Sequence, residues 1–296
     1  MTEKLSGILT ALATPFAADG SIDDKVLRLL VDRSIDGGVD GVVACGSTGE
    51  FAAMTGDERR HLVETVVDQA AGRVPVVAQT GAVATREAVA LSKHAESAGA
   101  DVLMVVAPYY EALTMDETLT YLRTVADSVS VPVMLYNLPG ATGVNLDPDT
   151  VGRLARSCEN IRYIKDTSAD MAQAGQLIHH HRDVISTFVG WDSLLLAAVA
   201  EGAAGVMAGS ANIMPAELVA VHRALASGDL KGAREVWDRI YPLMDTLMTA
   251  PFIQAVRAAL QELGLPVGEP REPLRAVDGG TRARIAAELK ALDLHK

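Results

Sequence analysis

The strongest constraint on the fold is a repeat of short apolar runs. Eight of them, at 7–16, 39–45, 74–80, 100–108, 131–137, 161–166, 184–189 and 203–208, alternate with segments of helical periodicity. The runs are nearly continuous in apolar residues, many of them β-branched, rather than alternating between apolar and polar. Strands buried on both faces have this pattern, as in a parallel sheet covered by helices. The segments at 57–71 and 85–98 are amphipathic. Asp57 and Glu58 open the first, where the positive end of a helix dipole favours carboxylates. Gly99 follows the second as a stop signal. Eight βα units in one chain predict a closed (β/α)8 or TIM barrel. The alternative is an open doubly wound sheet, which usually carries a glycine-rich first turn. No GxGxxG follows the first run, and there is no P-loop.

After the eighth run only helical patterns remain, at 216–226, 230–248, 252–263 and 281–292, with a Pro/Gly-rich break at 264–270. The first of these reads as the eighth barrel helix. The expected division is a barrel over 1–227 and a C-terminal helical appendage over 228–296. A chain of 296 residues suits that architecture. It buries roughly 75% of its unfolded surface and needs no disulfide staples. The two cysteines, Cys45 and Cys158, have no metal-binding spacing and read as buried, inert thiols, which fits the cytoplasm. A formal charge of -12 repels phosphate backbones, so nucleic acid is not an expected partner. Membrane association is not expected either. The most apolar stretch, 194–207, is broken by Glu201, Gly202 and Gly205, short of the ~20 apolar residues that span a bilayer. The N-terminal segment lacks the basic and apolar regions of a signal peptide.

In such barrels the chemistry lies at the C-terminal ends of the strands. Lys165 stands out there, because it follows Ile164 in a strand that should be buried. A buried ammonium is costly unless paired. Removal from water favours the neutral amine of a lysine, and a neutral amine attacks a ketone to form a carbinolamine and then an imine. The alternative is a lysine whose tip escapes to water or pairs with Asp166. Gly46-Ser47-Thr48-Gly49-Glu50 ends the second run. Its backbone N–H groups and the two hydroxyls would hold a carboxylate, although such a sequence also serves as a simple turn with a helix cap. Tyr136 ends the fifth run, beside the sixth in a sequentially wound barrel. It is placed either to relay protons or to fill the core with a wet tip.

Taken together, GSTGE at 46–50, PYY at 108–110, YNLPGATG at 136–143, IKDTS at 164–168 and GWDS at 190–193 resemble the dihydrodipicolinate synthase / N-acetylneuraminate lyase family of Schiff-base barrel enzymes. The resemblance covers essentially the whole chain. It implies that Lys165 forms the imine with pyruvate and that Tyr136 relays protons. Ser47 and Thr48 would bind the pyruvoyl carboxylate. Tyr110 would reach into a neighbouring subunit's site in a homotetramer. Thr167, Gly190, Asp192, Met207 and Ser210 are further candidates for substrate binding. Two departures bear on the substrate. Ala141 stands where dihydrodipicolinate synthases carry an arginine that binds the aldehyde's carboxylate. Ser193 stands where sialic acid lyases carry a glutamate.

The function expected from this reading is that of a lyase. It would make or cleave a C–C bond between pyruvate and an aldehyde, on a 2-keto-3-deoxy sugar acid, with no metal and no cofactor beyond the imine on Lys165. The seven histidines match no metal spacing. The alternatives are dihydrodipicolinate synthase itself, a keto sugar acid dehydratase using the same imine, and a non-catalytic barrel that binds a keto acid.

Overall fold

The computed structural model describes residues 5–294. All eight expected strands form: β1 (Gly7–Ala11), β2 (Gly41–Ala44), β3 (Val76–Gln79), β4 (Val102–Val106), β5 (Val133–Asn137), β6 (Ile161–Asp166), β7 (Ser186–Val189) and β8 (Gly205–Ala208). Each pairs in parallel with the next, and β8 returns to β1, so the sheet closes in sequence order. The seam between β1 and β8 depends on glycine. A Cβ on Gly205 would lie 1.9 Å from the Gly7 carbonyl oxygen, so the strands approach as closely as they do only because that atom is missing.

Most strands are shorter than the apolar runs that predict them. The run at 7–16 stops being a strand at Ala11. Its continuation crosses the barrel mouth, where Phe16 bridges Ile22 in antiparallel fashion. At the opposite rim, aspartates fix two strand starts: Asp40 Oδ2 accepts the Ile8 N–H and Asp101 Oδ2 accepts that of Val76, each at 2.8 Å. Two barrel helices begin with reciprocal caps, Thr55 with Glu58 and Thr114 with Glu117. Each satisfies two otherwise orphaned backbone donors.

Beyond β8 come helices Pro215–Ala226, Leu230–Thr249, Phe252–Glu262 and Gly279–Ala291. Ile240, Leu243, Met244, Leu247, Val256 and Leu260 from these helices are fully buried in the same apolar cluster as Leu9, Val42 and Val43 of the strands. Each such side chain contributes about 1.5–3 kcal/mol of burial, and the packing brings the start of Phe252–Glu262 to the C-terminal mouth of the barrel. Among the described residues no helix is long and apolar enough to cross a membrane.

Candidate active site

Strands β5 and β6 run side by side with Tyr136 opposite Lys165. Only 5% of the Lys165 surface is exposed. Its Nζ lies 4.2 Å from the centroid of the Tyr136 ring. Tyr136 OH in turn shares a 3.2 Å hydrogen bond with Ser47 Oγ, from the turn after β2. The Tyr136 ring thus lies against the lysine while its hydroxyl bonds the β2 turn. Asp166 is engaged elsewhere. It accepts hydrogen bonds from Asn137 Nδ2 (2.8 Å), Gln173 Nε2 (3.2 Å) and Ser168 Oγ (2.9 Å). Burial raises its carboxyl above the usual range, with these bonds opposing. Among the described residues Lys165 forms no ion pair, with Asp166 or any other carboxylate.

The turn from Gly46 to Glu50 uses two of its backbone donors internally. Gly49 N–H bonds Gly46 O at 3.1 Å and Glu50 N–H bonds Ser47 O at 3.0 Å. Among the described residues the N–H groups of Ser47 and Thr48 have no partner. Together with their hydroxyls they form a concave set of donors suited to a carboxylate.

Ser47, Thr48, Tyr136, Lys165, Thr167, Gly190, Asp192 and Met207 line one cavity of about 330 Å³. Gly190 leaves the room that Lys165 occupies, because a Cβ there would lie 2.1 Å from Thr167 Oγ1 and 2.5 Å from Lys165 Cε. Thr167 Oγ1 is buried with no hydrogen-bond partner among the described residues, which leaves it available to a ligand. Asp192 is buried and accepts the Ser210 N–H at 2.7 Å. Burial raises its carboxyl above the usual range, opposed first by its hydrogen bonding to Ser210 and then by the nearby Lys165.

Two of the residues singled out in the sequence do not line this cavity. Ser210 holds Asp192 through its backbone N–H, and its hydroxyl is buried without a hydrogen-bond partner among the described residues. Tyr110 is 81% exposed in the loop after β4. Conversely, the cavity has an apolar wall: Leu138 and Trp191, from motifs visible in the sequence, and Met248, Ala250, Phe252 and Ile253, which sequence reasoning missed. Ser47, Leu138 and Ile253 also border an adjoining chamber of about 530 Å³, with Phe51, Val106, Tyr109, Ala141 and Leu274 among its walls. Among the described residues no three His, Cys, Asp or Glu side chains group so as to hold a metal ion.

Residues 4–292 match the model of the dihydrodipicolinate synthetase family. The chain belongs to that family. It is 38% identical over 291 residues to a 4-hydroxy-tetrahydrodipicolinate synthase of Chlorobium phaeobacteroides, covering 98% of both chains. It is 39% identical over 271 residues to 4-hydroxy-tetrahydrodipicolinate synthase 1 of Halalkalibacterium halodurans, covering 92% of each. Among solved structures, a dihydrodipicolinate synthase from Aquifex aeolicus superposes with a TM-score of 0.94 at 35% identity, over 98% of both chains. A prophage protein of the same family from E. coli K12, solved in complex with pyruvate, superposes with a TM-score of 0.94 at 33% identity, over 99% of this chain and all (100%) of that one. Family membership makes the protein an enzyme of the carbon–carbon lyase class.

Proposed function

We propose that the protein joins pyruvate to an aldehyde, or splits the corresponding adduct, through an imine on Lys165. The observation that carries this reading is the continuous contact of Lys165, Tyr136 and Ser47 at the floor of one cavity. Ser47 and Thr48 hold the keto acid's carboxylate. The Lys165 amine attacks C2, and loss of water gives the protonated imine, which acts as an electron sink. Removal of a C3 proton gives the enamine. Its C3 attacks the aldehyde carbon, forming the C–C bond as the aldehyde oxygen takes up a proton. Water then releases the product from Lys165. Cleavage runs the same steps in reverse. The Tyr136 phenol moves the protons, and Ser47 Oγ passes them onward. The protonated imine serves as the electron sink, so the scheme calls for no metal or cofactor.

The shared name of the relatives supports 4-hydroxy-tetrahydrodipicolinate synthase activity, more strongly than a sugar acid reaction. One observation favours the second reading, in which the adduct is a 2-keto-3-deoxy sugar acid. Ala141 offers no guanidinium to the acceptor chamber. Arg271, the one cation among the chamber's described residues, is already paired with Glu58. Product analysis tests both readings. The protein is supplied with pyruvate plus aspartate semialdehyde, and separately with a 2-keto-3-deoxy sugar acid. A new condensation product in the first reaction, or pyruvate released in the second, supports the corresponding reading. If both reactions leave their substrates unchanged, the proposed chemistry is contradicted.

The exposed Tyr110 fits a homotetramer in which this side chain enters a neighbour's site. The buried, free Cys45 and Cys158 fit a cytoplasmic enzyme.

A further inference from the structure

The deepest ion pair among the described residues lies just behind the proposed carboxylate-binding turn. Glu50 and Arg257 have side chains only 1% and 3% exposed, and the Arg257 guanidinium donates to Glu50 Oε1. Glu50 sits at φ 59, a left-handed backbone conformation that non-glycine residues adopt at a cost. Its second oxygen accepts the Arg271 N–H at 2.9 Å. Arg257 also donates to Thr14 O at 2.7 Å, and Thr14 Oγ1 donates to Gly49 O at 2.8 Å. The guanidinium thus grips the turn directly through Glu50 and indirectly through Thr14, in the segment that follows β1. The same helix, Phe252–Glu262, touches the cavity at its other end. The Cβ position of Gly209 lies 2.7 Å from the Phe252 ring and 2.9 Å from Thr48 Oγ1.

We propose that Arg257 and Glu50 are positioning residues, which hold the Ser47–Thr48 turn in the geometry that binds a 2-keto acid's carboxylate. The inference rests on the imine reading above and goes beyond it by making the C-terminal helices part of substrate recognition. A buried ion pair is weak evidence for stability in itself, because desolvation offsets much of its attraction. Its location accounts for it better. Arg257 also donates to Val267 O at 2.5 Å and to Gly268 O at 3.3 Å, beyond its own helix. But Glu50, Thr14 and, through Thr14, Gly49 lie in or beside the turn, and Ser47 and Thr48 of that turn line the cavity.

The test compares two ketones that differ in charge at the recognised group, pyruvate and methyl pyruvate. Imine formation on each is trapped with borohydride and quantified by mass spectrometry across ketone concentrations. The proteins are the wild type, Glu50→Gln, Arg257→Lys and the double variant Glu50→Gln/Arg257→Met, with folding followed by circular dichroism. A misplaced turn loses charge-assisted hydrogen bonds to the carboxylate, so the apparent affinity for pyruvate should fall about ten- to a hundredfold in the folded variants. Methyl pyruvate should be trapped as in the wild type. A parallel fall for both ketones, no change for either, or failure of all three variants to fold would make the pair a structural staple and overturn the inference. Absence of any pyruvate adduct on the wild-type protein would instead remove the imine reading beneath it.

Discussion

Lys165 Nζ sits 4.2 Å from the centre of the Tyr136 ring, while the hydroxyl of that ring meets Ser47 Oγ at 3.2 Å. The aromatic face covers the amine and its polar tip reaches the β2 turn. One side chain thus touches both halves of the site, the proposed nucleophile and the proposed carboxylate cradle. Replacing Tyr136 with Phe keeps the face and removes the tip. We expect kcat to fall about a hundred- to ten-thousandfold, the range for loss of a general acid–base group. Pyruvate should still be trapped slowly on Lys165. Steady-state kinetics beside borohydride trapping checks this. An unchanged kcat would assign the phenol to packing.

Gly190→Ala should disable the site without disturbing the barrel. The added methyl would meet Thr167 Oγ1 and Lys165 Cε at distances no real contact allows, so the lysine must move. A displacement near 1 Å of a reacting group costs about a hundredfold in rate. Imine trapping should fall accordingly while the thermal melt stays near that of the wild type.

Ala141 borders the chamber beside the cavity, the proposed seat of the aldehyde, and lies in the short helix Pro139–Thr142. Ala141→Arg would supply the bidentate carboxylate partner that the chamber lacks. The expected gain in kcat/KM for an aldehyde bearing a carboxylate is about tenfold, the worth of one charge-assisted hydrogen bond. The ratio of kcat/KM for aspartate semialdehyde to that for an uncharged aldehyde reads it. A ratio no higher than in the wild type would place the aldehyde's far end away from this helix.

Acid should act through Glu58. The Arg271 hydrogen bond and the backbone of Thr55 lower its carboxyl from the ordinary 4.5 to about 2, against the opposing effect of burial. Glu58 is therefore a stronger acid folded than unfolded. Its stabilising contribution is complete above about pH 4.5 and is lost as pH falls towards about 2. Glu58→Gln should be less stable than the wild type at pH 6, and the difference should shrink through that window. Denaturant unfolding at several pH values measures it, and a difference independent of pH would contradict the assignment.

Much of this architecture is legible in the sequence because parallel strands covered on both faces must be apolar throughout. Val42, Val43, Val76 and Val77 announce themselves in that way. Lys165 is legible for the converse reason, as a cation interrupting such a run. The apolar wall of the cavity is not. Met248, Ala250, Phe252 and Ile253 are ordinary helical residues whose placement depends on how the C-terminal helices dock, a long-range packing outcome with no local signature. Arg257 is equally silent, since nothing in its neighbours says that it reaches Glu50, 207 residues away. The caps at Thr55–Glu58 and Thr114–Glu117 did carry a readable signal, Thr followed three residues later by Glu. Ser210 reads in the sequence as a ligand for substrate, but in the fold it bonds Asp192 through its backbone and is fully buried, so it supports a residue of the cavity wall without lining the cavity itself.

The central claim is that Lys165 forms an imine with pyruvate. Incubation with pyruvate and borohydride, followed by mass spectrometry of the intact protein and of its peptides, tests it most directly. The account predicts an increase by the mass of one reduced pyruvate per chain, located on the peptide carrying Lys165 and absent in Lys165→Arg. A folded wild-type protein with no adduct, or an adduct that persists in Lys165→Arg, would contradict it.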